Sequence, residues 1–274
     1  MIVFPNCKIN LGLQVLQKRS DGYHDIATVF YPVQLRDALE IVPLGAAQET
    51  VIHHYGLPIN GSTADNLCLK AWHLLKKDFP GLSPVEIHLL KNIPMGAGLG
   101  GGSSDGAFML QLLNQKYQLN LSGEQLIAYA LQLGSDCPFF ILNKPCYATG
   151  RGELLQPIDL DLSGFQLVIA NTGIHVNTGW AFSQLGPGPV ATKRKPIAET
   201  LREPVTEWKN QLTNDFEEPV FKAHPRIKQV KENLYSTGAV YASMSGSGST
   251  VFGIFNSSIN LTSGLPAHYT VIQL

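Results

Sequence analysis

The chain has 274 residues, of which 44% are hydrophobic and 15% charged, and its formal net charge is −1 at pH 7. This length suits one large domain or two ordinary ones, and the balance of apolar and charged residues excludes intrinsic disorder. A net charge so close to zero provides no general attraction to nucleic acid or to acidic membranes, so we expect neither as a partner.

The first predicted elements are two strands. Ile9, Leu11, Leu13 and Val15 occupy every second position near the N-terminus, and a second apolar segment covers residues 26–42 after the turn-like sequence SDGYH. Apolar residues with period 2 indicate a half-buried strand, and a short turn between two such segments indicates a hairpin. We therefore predict that a β-hairpin opens the fold.

Helix and strand alternate after the hairpin. Residues 64–79 and 122–132 have apolar side chains at helical spacing, and residues 85–89 alternate as in a strand. Ser122 and Gln125 have the spacing of a capping box, which marks the start of a helix. The first half of the chain is therefore predicted to be α+β.

A glycine-rich segment follows the predicted strand. It reads Pro94-Met-Gly-Ala-Gly-Leu-Gly-Gly-Gly-Ser-Ser-Asp-Gly106, with five glycines in residues 96–102, and helical spacing begins at Ser103, the predicted N-cap. Glycine lets the chain bring backbone N–H groups close to an anion, and the first turn of a helix adds unpaired N–H donors and the positive end of its dipole. The segment is therefore predicted to bind nucleotide phosphates.

Other glycine motifs fit the same segment. Gly96, Gly98 and Gly101 form G-x-G-x-x-G, but a dinucleotide fold needs an acidic residue at the end of a second strand about 20 residues later, where residues 122–132 have a helical pattern instead. A Walker A loop is excluded because no lysine follows the glycines.

A hydrolase is the main alternative. Residues 102–106 also form G-x-S-x-G, the nucleophile elbow, and Ser104, Asp136 and His175 occur in the order that such enzymes use. The extra glycines are unnecessary for an elbow, and an HGGG-type oxyanion segment is missing from the sequence. A nucleotide-binding regulatory protein without catalysis is a third class.

We predict a domain boundary near the middle of the chain. Residues 150–165 are rich in Gly, Pro and acidic residues, and a new apolar run begins at Phe165. Such a change in composition indicates a linker. We expect an N-terminal domain of residues 1–155 and a C-terminal domain of residues 156–274. The Gly- and Pro-rich residues 186–196 are typical of an exposed loop.

The second half carries another glycine cluster, Ser243-Met-Ser-Gly-Ser-Gly-Ser-Thr250, between strand-like residues 238–244 and 250–255. Residues 165–170 also resemble a strand, and residues 204–234 include helical stretches, which together favour a smaller α+β sandwich. The cluster is either a plain turn between strands or, if it folds back beside the first glycine segment, the other side of an anion-binding pocket.

The four cysteines, Cys7, Cys68, Cys137 and Cys146, are scattered without C-x-x-C spacing. This pattern is typical of neither a metal site nor a disulfide framework. The N-terminal residues show no secretory pattern, and no run approaches the roughly 18 apolar residues of a membrane span. We therefore expect a cytoplasmic protein with reduced thiols.

Several motifs in order relate the chain to a known family. They are PNCKINLGL, RSDGYH, NIPMGAGLGGGSSDGA, GSDCPFF, ATGRGE, NDFEEPV and SMSGSGSTVFGIF. With these motifs over nearly its whole length, the chain resembles the 4-diphosphocytidyl-2-C-methyl-D-erythritol kinases of the GHMP kinase superfamily. The resemblance implies a two-domain α+β GHMP kinase fold, with an N-terminal ribosomal-protein-S5-like α/β domain, a C-terminal ferredoxin-like α+β sandwich and an active site in the cleft between them.

The resemblance also implies a reaction. It is the ATP-dependent phosphorylation of the 2-hydroxyl of a cytidine-diphosphate-linked methylerythritol in the non-mevalonate route to isoprenoid precursors, with ATP and Mg²⁺ as cofactors and a monomer or weak homodimer as the enzyme. The catalytic residues implied are Asp136, which orients the hydroxyl and accepts its proton, and Lys8, which supplies positive charge. From the residues alone, a helix C-terminal or turn carboxylate is the favoured interpretation of Asp136, and only the resemblance reverses this order.

For the nucleotide, the resemblance implies contacts to the phosphates along the glycine segment and to the adenine from Asn66 and Lys91. By sequence pattern alone, Asn66 is an early helix residue and Lys91 a solvated strand end. The metal ligands stay unassigned, with Ser103 and Ser104 as the nearest candidates. The phosphate-binding residues implied are Pro94, Met95, Gly96, Ala97, Gly98, Leu99, Gly100, Gly101, Gly102, Ser103 and Ser104.

For the cytidine substrate, the resemblance implies a Tyr23-His24 pair at the cytosine ring and a second aromatic side chain on its other face. Phe182 and Trp180 are the candidates, and core packing is an equal alternative for Trp180. This region departs from relatives with a proline-rich version. The remaining substrate-binding residues implied are Asn10, Thr178, Gly246 and Gly248. Lys8 and Asn10 share one face of the first strand, which faces solvent in the plain interpretation.

Overall fold

The structure is a computed structural model that describes residues 1–45, 48–59, 61–185, 195–256 and 269–273. Most of the exposed loop predicted at residues 186–196 lies outside these ranges. Within the described ranges, no helix combines the length and apolar character needed to cross a membrane.

The chain alternates between strands and helices. The strands are Ile2–Val3 (β1), Asn6–Lys18 (β2), His24–Arg36 (β3), Ala38–Pro43 (β4), Val51–Gly56 (β5), Val85–Lys91 (β6), Cys146–Thr149 (β7), Leu154–Pro157 (β8), Phe165–Ala170 (β9), Tyr241–Met244 (β10), Val251–Asn256 (β11) and Tyr269–Gln273 (β12). The helices are Leu67–Asp78 (α1), Gly101–Tyr117 (α2), Gly123–Leu133 (α3), Cys137–Leu142 (α4), Thr178–Ser183 (α5), Ile197–Thr200 (α6), Glu217–Ala223 (α7) and Pro225–Ser236 (α8). This content confirms the α+β class.

The chain divides into two compact units, each made of separate segments. The first unit comprises Met1–Cys7, Leu35–Met95 and Gly100–Lys144, and the second comprises Lys8–Gln34, Gly96–Leu99 and Pro145–Leu274. The division expected at residues 155 and 156 stays a prediction.

The first unit contains one sheet and four helices. The sheet has the order β1-β4-β6-β5, in which β5 runs parallel to β6 and the other neighbours are antiparallel. Every second residue of β6, from Val85 to Leu89, is buried, as the alternation predicts. Helices α1, α2, α3 and α4 pack against one another.

The second unit contains two sheets, of order β2-β3-β7-β8 and β10-β11-β9-β12. Its core joins residues of both sheets with residues of α7 and α8. The buried apolar residues that form it include Leu13, Val15, Ile26, Val168, Ala242, Met244, Val251, Phe255, Val220, Ile227 and Leu234. The predicted hairpin is present as β2 and β3.

Two element boundaries differ from the prediction. The apolar segment 26–42 is interrupted at Asp37, which is buried and accepts backbone hydrogen bonds, so the segment forms β3 and β4 in different sheets. Helix α2 begins before the predicted cap at Ser103, because Gly100 adopts a left-handed conformation with φ of 70° and leads the chain into the helix without a side-chain cap. The capping box of α3 is present as predicted.

Candidate active site

Lys8 and Asn10 lie on β2 with almost no exposure to solvent, at 3% and 2%. The Lys8 ammonium donates to Asn10 Oδ1 at 2.5 Å and to the Gly98 carbonyl at 3.2 Å, and it lies 4.8 Å from the centroid of the Phe30 ring. The plain expectation that this face of the strand is solvated is therefore wrong. These contacts hold the Lys8 ammonium against the first glycine loop.

The Asn10 side chain also contacts the neighbouring strand. Its Nδ2 donates to Thr28 Oγ1 at 3.0 Å, and the Thr28 hydroxyl donates to the Gly12 carbonyl at 2.5 Å. Since both ends of the amide have partners, the Asn10 carbonyl oxygen is held toward Lys8. The alternation of residues 26–42 places Thr28 on one face of its strand, but nothing local in the sequence indicates this contact.

Glycines of positive φ alternate with buried apolar residues in the first glycine loop. Gly96, Gly98 and Gly100 have φ of 62°, 80° and 70°, whereas Ala97 and Leu99 between them are buried. The Lys8 N–H donates to the Leu99 carbonyl at 3.0 Å and fastens this loop to β2. When left- and right-handed backbone conformations alternate, successive N–H groups point to the same side of the chain, as in anion-binding nests.

The second glycine loop folds against the first. The Thr250 N–H donates to the Ala97 carbonyl at 3.2 Å, and the Ser245 hydroxyl donates to the Gly98 carbonyl at 2.8 Å. A Cβ at Gly98 would overlap the Ser245 carbonyl. The Asn10 N–H donates to Ser245 Oγ at 3.1 Å. The interpretation in which the second cluster lies beside the first is therefore confirmed.

This second loop is also a turn between strands, since it joins β10 to β11. Gly246 and Gly248 have φ of 57° and 91°, and both are buried. A Cβ at Gly246 would lie 3.4 Å from Asn10 Oδ1 and 3.4 Å from the Gly98 Cα. The loop therefore serves as a connector and as a wall of the same site.

In the first unit, Asp136 lies directly before α4. The next residue, Cys137, is buried, and its thiol has a side-chain hydrogen bond with Ser103 in the first turn of α2. Burial raises the pKa of Cys137 to about 12, the Ser103 hydrogen bond opposes this, and the Asp136 carboxylate adds to it. Asp136 is thus connected through its neighbour to the first turn of α2.

Ser104 is unsuited to a hydrolase elbow. It lies inside α2 and is fully buried, and its hydroxyl has no hydrogen-bond partner among the described residues. An elbow nucleophile must be exposed on a sharp turn between strand and helix. The hydrolase alternative is therefore wrong.

Lys91 is fully buried, so the alternative of a solvated strand end is wrong. Its ammonium pairs with the Asp37 carboxylate and with Asp105 Oδ2, the latter at 2.7 Å. Burial disfavours the charged lysine, but the two carboxyl groups outweigh burial and raise its pKa. Asp37 also accepts the N–H groups of Asn92 and Ile93 at 2.6 and 2.8 Å, which holds the chain where it leaves β6 toward the glycine loop.

Asp105 shares this buried cluster from its position on α2. Burial raises its pKa to about 8, the Lys91 ammonium opposes this effect, and the Asp37 carboxylate reinforces it. With a proton on Asp105, the positive charge of Lys91 is balanced by the negative charge of Asp37, so the buried cluster carries no net charge. Neither acidic residue was singled out in the sequence, because their spacing of 68 residues from Asp37 to Asp105 carries no local pattern.

Asn66 is the N-cap of α1. Its Oδ1 accepts the Cys68 N–H at 2.8 Å, and its Nδ2 lies 3.0 Å from His54 Nε2. This position at the start of α1 agrees with the prediction from sequence pattern alone that Asn66 is an early helix residue. Its second contact is with His54 of β5.

The predicted acceptor residues meet in the second unit. The rings of His24 and Phe182 stack with centroids 4.7 Å apart, and Phe182 packs edge-on against Phe216. Tyr23 is 57% exposed, and the Arg151 guanidinium lies 5.0 Å from its ring centroid. Burial, and to a smaller extent Lys18, lowers the pKa of His24, which favours the neutral imidazole.

The other two residues of this region lie on α5. The hydroxyls of Thr178 and Ser247 are 2.9 Å apart, which connects α5 to the second glycine loop. Trp180 packs edge-on against His224 and against the core of the second unit. This contact agrees with the core-packing alternative for Trp180, and Phe182 packs against the same core.

The described residues contain no group of three or more His, Cys, Asp or Glu side chains able to hold a metal ion. Mg²⁺ in phosphoryl transfer is usually bound by one or two side chains together with phosphate oxygens and water. Two hydroxyls at the start of α2 could supply such side chains. They are the buried Ser104 hydroxyl, which has no partner among the described residues, and that of the partly exposed Ser103.

Comparisons with known proteins agree with this arrangement. The family model of the GHMP kinases N-terminal domain matches residues 66–144, and that of the GHMP kinases C-terminal domain matches residues 197–269. A 4-diphosphocytidyl-2-C-methyl-D-erythritol kinase of Bacteroides fragilis is 52% identical, with 96% of this chain and 94% of the relative covered. That of Bacteroides thetaiotaomicron is 54% identical over 93% of this chain and 92% of the relative.

Solved structures give the same result. A crystal structure of 4-(cytidine 5′-diphospho)-2C-methyl-D-erythritol kinase has a TM-score of 0.76 and 33% identity, with 93% of this chain and 90% of that chain covered. A homoserine kinase from Cytophaga hutchinsonii shares the fold, with a TM-score of 0.64, 15% identity and coverage of 93% and 86%. With two glycine loops that meet at a buried lysine, and with relatives of this identity and coverage, the chain belongs to the 4-diphosphocytidyl-2-C-methyl-D-erythritol kinase family of the GHMP kinases.

Proposed function

We propose that the protein transfers the γ-phosphoryl group of ATP to the 2-hydroxyl of 4-diphosphocytidyl-2-C-methyl-D-erythritol, in the non-mevalonate route to isoprenoid precursors. The observation that carries this proposal is the contact of both glycine loops with the buried Lys8–Asn10 pair. The names of the relatives supply the acceptor, since this site alone identifies only an anionic ligand.

The first glycine loop binds the phosphates of ATP in this proposal. Its glycines at positions 96, 98 and 100 leave the N–H groups unobstructed by side chains, and the first turn of α2 adds unpaired donors. Mg²⁺ neutralises charge on the phosphate oxygens when it is bound with ATP, and Ser103 and Ser104 are the side chains nearest to that role.

Lys8 stabilises the transferred group. Phosphoryl transfer has a loose transition state, so catalysis rests on positioning and on charges directed at the phosphoryl oxygens. The Lys8 ammonium is buried and is bound by the oxygens of Asn10 and Gly98, which holds its positive charge beside the first glycine loop.

Asp136 orients the acceptor hydroxyl and accepts its proton late in the reaction. The family motif GSDCPFF supports this role, as do the partial exposure of Asp136 and the link from Cys137 to Ser103 at the start of α2. Carboxylates with this task need to be ionised and accessible to the substrate.

The cytosine ring binds among Tyr23, His24 and Phe182. The exposed Tyr23 ring offers a stacking face, and the neutral His24 imidazole can both donate and accept a hydrogen bond at the edge of a base. We choose Phe182 over Trp180 for the opposite face, because Phe182 is the ring in contact with His24. Thr178, linked to Ser247, lies at the polar side of this pocket.

The cytoplasm is the compartment that we propose for the enzyme. All four cysteines are buried thiols rather than disulfides, and cysteines are kept as thiols in the reducing cytosol.

The test is ADP release from Mg-ATP in a coupled assay, with and without 4-diphosphocytidyl-2-C-methyl-D-erythritol, for the parent and for Asp136→Asn. We expect release only with the acceptor, and a kcat lower by about 100-fold or more in the variant. A parent protein that binds ATP but never releases ADP with this acceptor is a binder or acts on another alcohol, and the proposed substrate is then wrong.

A further inference from the structure

The segment from Thr213 to Glu217, whose last four residues begin the motif NDFEEPV, has no role in the proposed reaction, yet it makes a dense set of buried contacts. Asn214 is 4% exposed, and its amide nitrogen donates to the carbonyls of Met244 and Gly246, each at 2.8 Å. Its oxygen accepts the Phe216 N–H at 3.0 Å. Both hydrogens and the oxygen of this side chain are therefore used.

The residues on either side of Asn214 are fastened to β2, the strand that carries Lys8. The Leu13 N–H donates to the Thr213 carbonyl at 2.9 Å, and the Asp215 N–H donates to the Leu13 carbonyl at 2.9 Å. The Val15 N–H donates to the Asp215 carboxylate at 2.8 Å. These bonds hold the Asn214 backbone at a defined position along β2, so its side chain works from a rigid base.

The Asn214 side chain connects this segment to the second glycine loop. Gly246, whose carbonyl accepts from Asn214, lies against Asn10 and Gly98, since a Cβ on it would be in van der Waals contact with both. Ser245, next to Gly246, is hydrogen-bonded to the Asn10 N–H and to the Gly98 carbonyl. Those two residues are the oxygen partners of the Lys8 ammonium.

We propose that Asn214 is a positioning residue for phosphoryl transfer: its amide holds the second glycine loop against the Lys8–Asn10 pair and so sets the place of the ammonium. The inference rests on the proposed function. Asn214 acts through Gly246 and Ser245 and need not touch either substrate.

The chemistry of the site calls for an amide at this position. Two carbonyl oxygens converge on Asn214 Nδ2, so the side chain must supply two donors there while its oxygen accepts from Phe216. An ionised aspartate would place a negative oxygen against the two carbonyls, whereas a protonated aspartic acid would restore one of the two donated bonds.

The charged groups that line the same cavity as Asn214 are Asp215 on its own segment, Glu217, Glu218 and Lys222 of α7, and Lys195. Glu217 is bound to Lys231 and accepts from the Ser243 hydroxyl and the Met244 N–H, and Asp215 accepts from Val15. These groups are the same in the parent and in an Asn214 variant, so the ratio of their activities cancels their titration.

The experiment compares the parent, Asn214→Asp and the control Asn210→Asp, which makes the same chemical change at an exposed position. We expect kcat with ATP and 4-diphosphocytidyl-2-C-methyl-D-erythritol to fall about 10- to 100-fold in Asn214→Asp at neutral pH, and to stay at the parent level in the control. As pH falls from about 8.5 to about 6, the ratio of Asn214→Asp to parent activity should rise about fivefold, since protonation restores one donor.

All assays are run well below the unfolding temperature of each protein, which is measured by circular dichroism. If Asn214→Asp does not fold, Asn214→Ser takes its place, because a hydroxyl keeps one donor and the same 10- to 100-fold range then applies. Parent-like kcat in the folded variant, or an Asn214→Asp ratio that stays constant with pH, overturns the inference alone. An inactive parent overturns the proposed function and this inference with it.

Discussion

At the scale of single residues, Phe182 and Trp180 of the short helix α5 differ in the ring that each contacts. Both pack against the core of the second unit, but Phe182 also stacks on His24, while Trp180 contacts His224. A ring stacked on a nucleobase contributes about 1–3 kcal/mol, while a partly buried ring in a core contributes mainly to folding.

We therefore expect Phe182→Ala to raise KM for the cytidine substrate about tenfold or more, with little change in KM for ATP. Trp180→Ala should chiefly lower the unfolding temperature. Steady-state kinetics with each substrate varied in turn, together with thermal unfolding of both variants, checks this. If Trp180→Ala raised the acceptor KM and Phe182→Ala did not, the assignment of the two rings would be reversed.

A second residue-scale property is the proton held by Asp105. Burial raises its pKa to about 8, with Lys91 opposing and Asp37 reinforcing the shift, whereas an aspartate in an unfolded chain ionises near about 4. Between these pH values the folded protein holds a proton on Asp105 that the unfolded chain has lost. The free energy of unfolding contributed by this group therefore falls as pH rises through this window.

Asp105→Asn removes this proton exchange and keeps the shape of the side chain. We expect the parent to lose stability relative to the variant between about pH 5 and about pH 8, with a slope of at most about 1.4 kcal/mol per pH unit. Urea unfolding of both proteins at several pH values measures it. Parallel curves for the two proteins would mean that Asp105 is ionised in the folded state.

At the scale of elements, the first glycine loop needs its glycines for two separate reasons. Gly98 has φ of 80°, which side chains with a Cβ rarely adopt, and a Cβ there would overlap the Ser245 carbonyl of the second loop. Gly123, by contrast, is exposed at the start of α3, and a Cβ built on it would meet nothing within 4 Å.

Gly98→Ala should therefore separate the two loops, lower kcat/KM for ATP by about 100-fold or more and destabilise the second unit. Gly123→Ala, the matched control, should keep full activity and gain about 0.4–1 kcal/mol of stability from reduced entropy of the unfolded chain. Coupled kinetics and thermal unfolding compare the two. If the two variants had the same activity and the same unfolding temperature, the contact between the two loops would not be needed for catalysis.

At the scale of the whole molecule, the cysteines report on folding. All four are buried thiols rather than disulfides; burial raises the pKa of Cys68 well above its ordinary value and that of Cys137 to about 12. Only the thiolate reacts readily with disulfide reagents, so native thiols should react slowly. We expect labelling of the folded protein at a small fraction of the rate in guanidinium, where all four thiols react. Rapid labelling of a native thiol would show local opening at that cysteine.

Much of the fold could be predicted because its causes are local. The alternation at residues 85–89 sets β6, the Ser122–Gln125 box starts α3, and glycines mark both loops. The exceptions also have identifiable causes. Helix α2 starts at Gly101 because Gly100 can adopt positive φ, and the strand predicted at residues 26–42 is interrupted at Asp37, whose carboxylate is needed by the chain leaving β6.

The sequence by itself determined the α+β class, the place of the first glycine loop between a strand and a helix and, through its ordered motifs, the family. Only the tertiary structure decided that Lys8 and Asn10 are buried, that the two loops meet, that Lys91 has two acidic partners and that Phe182 faces His24. Local patterns depend on neighbours within about one helical turn, whereas the bonds of the site join residues 90, 147 and 235 positions apart. Such contacts form only when the whole core packs, so no short window of sequence contains them.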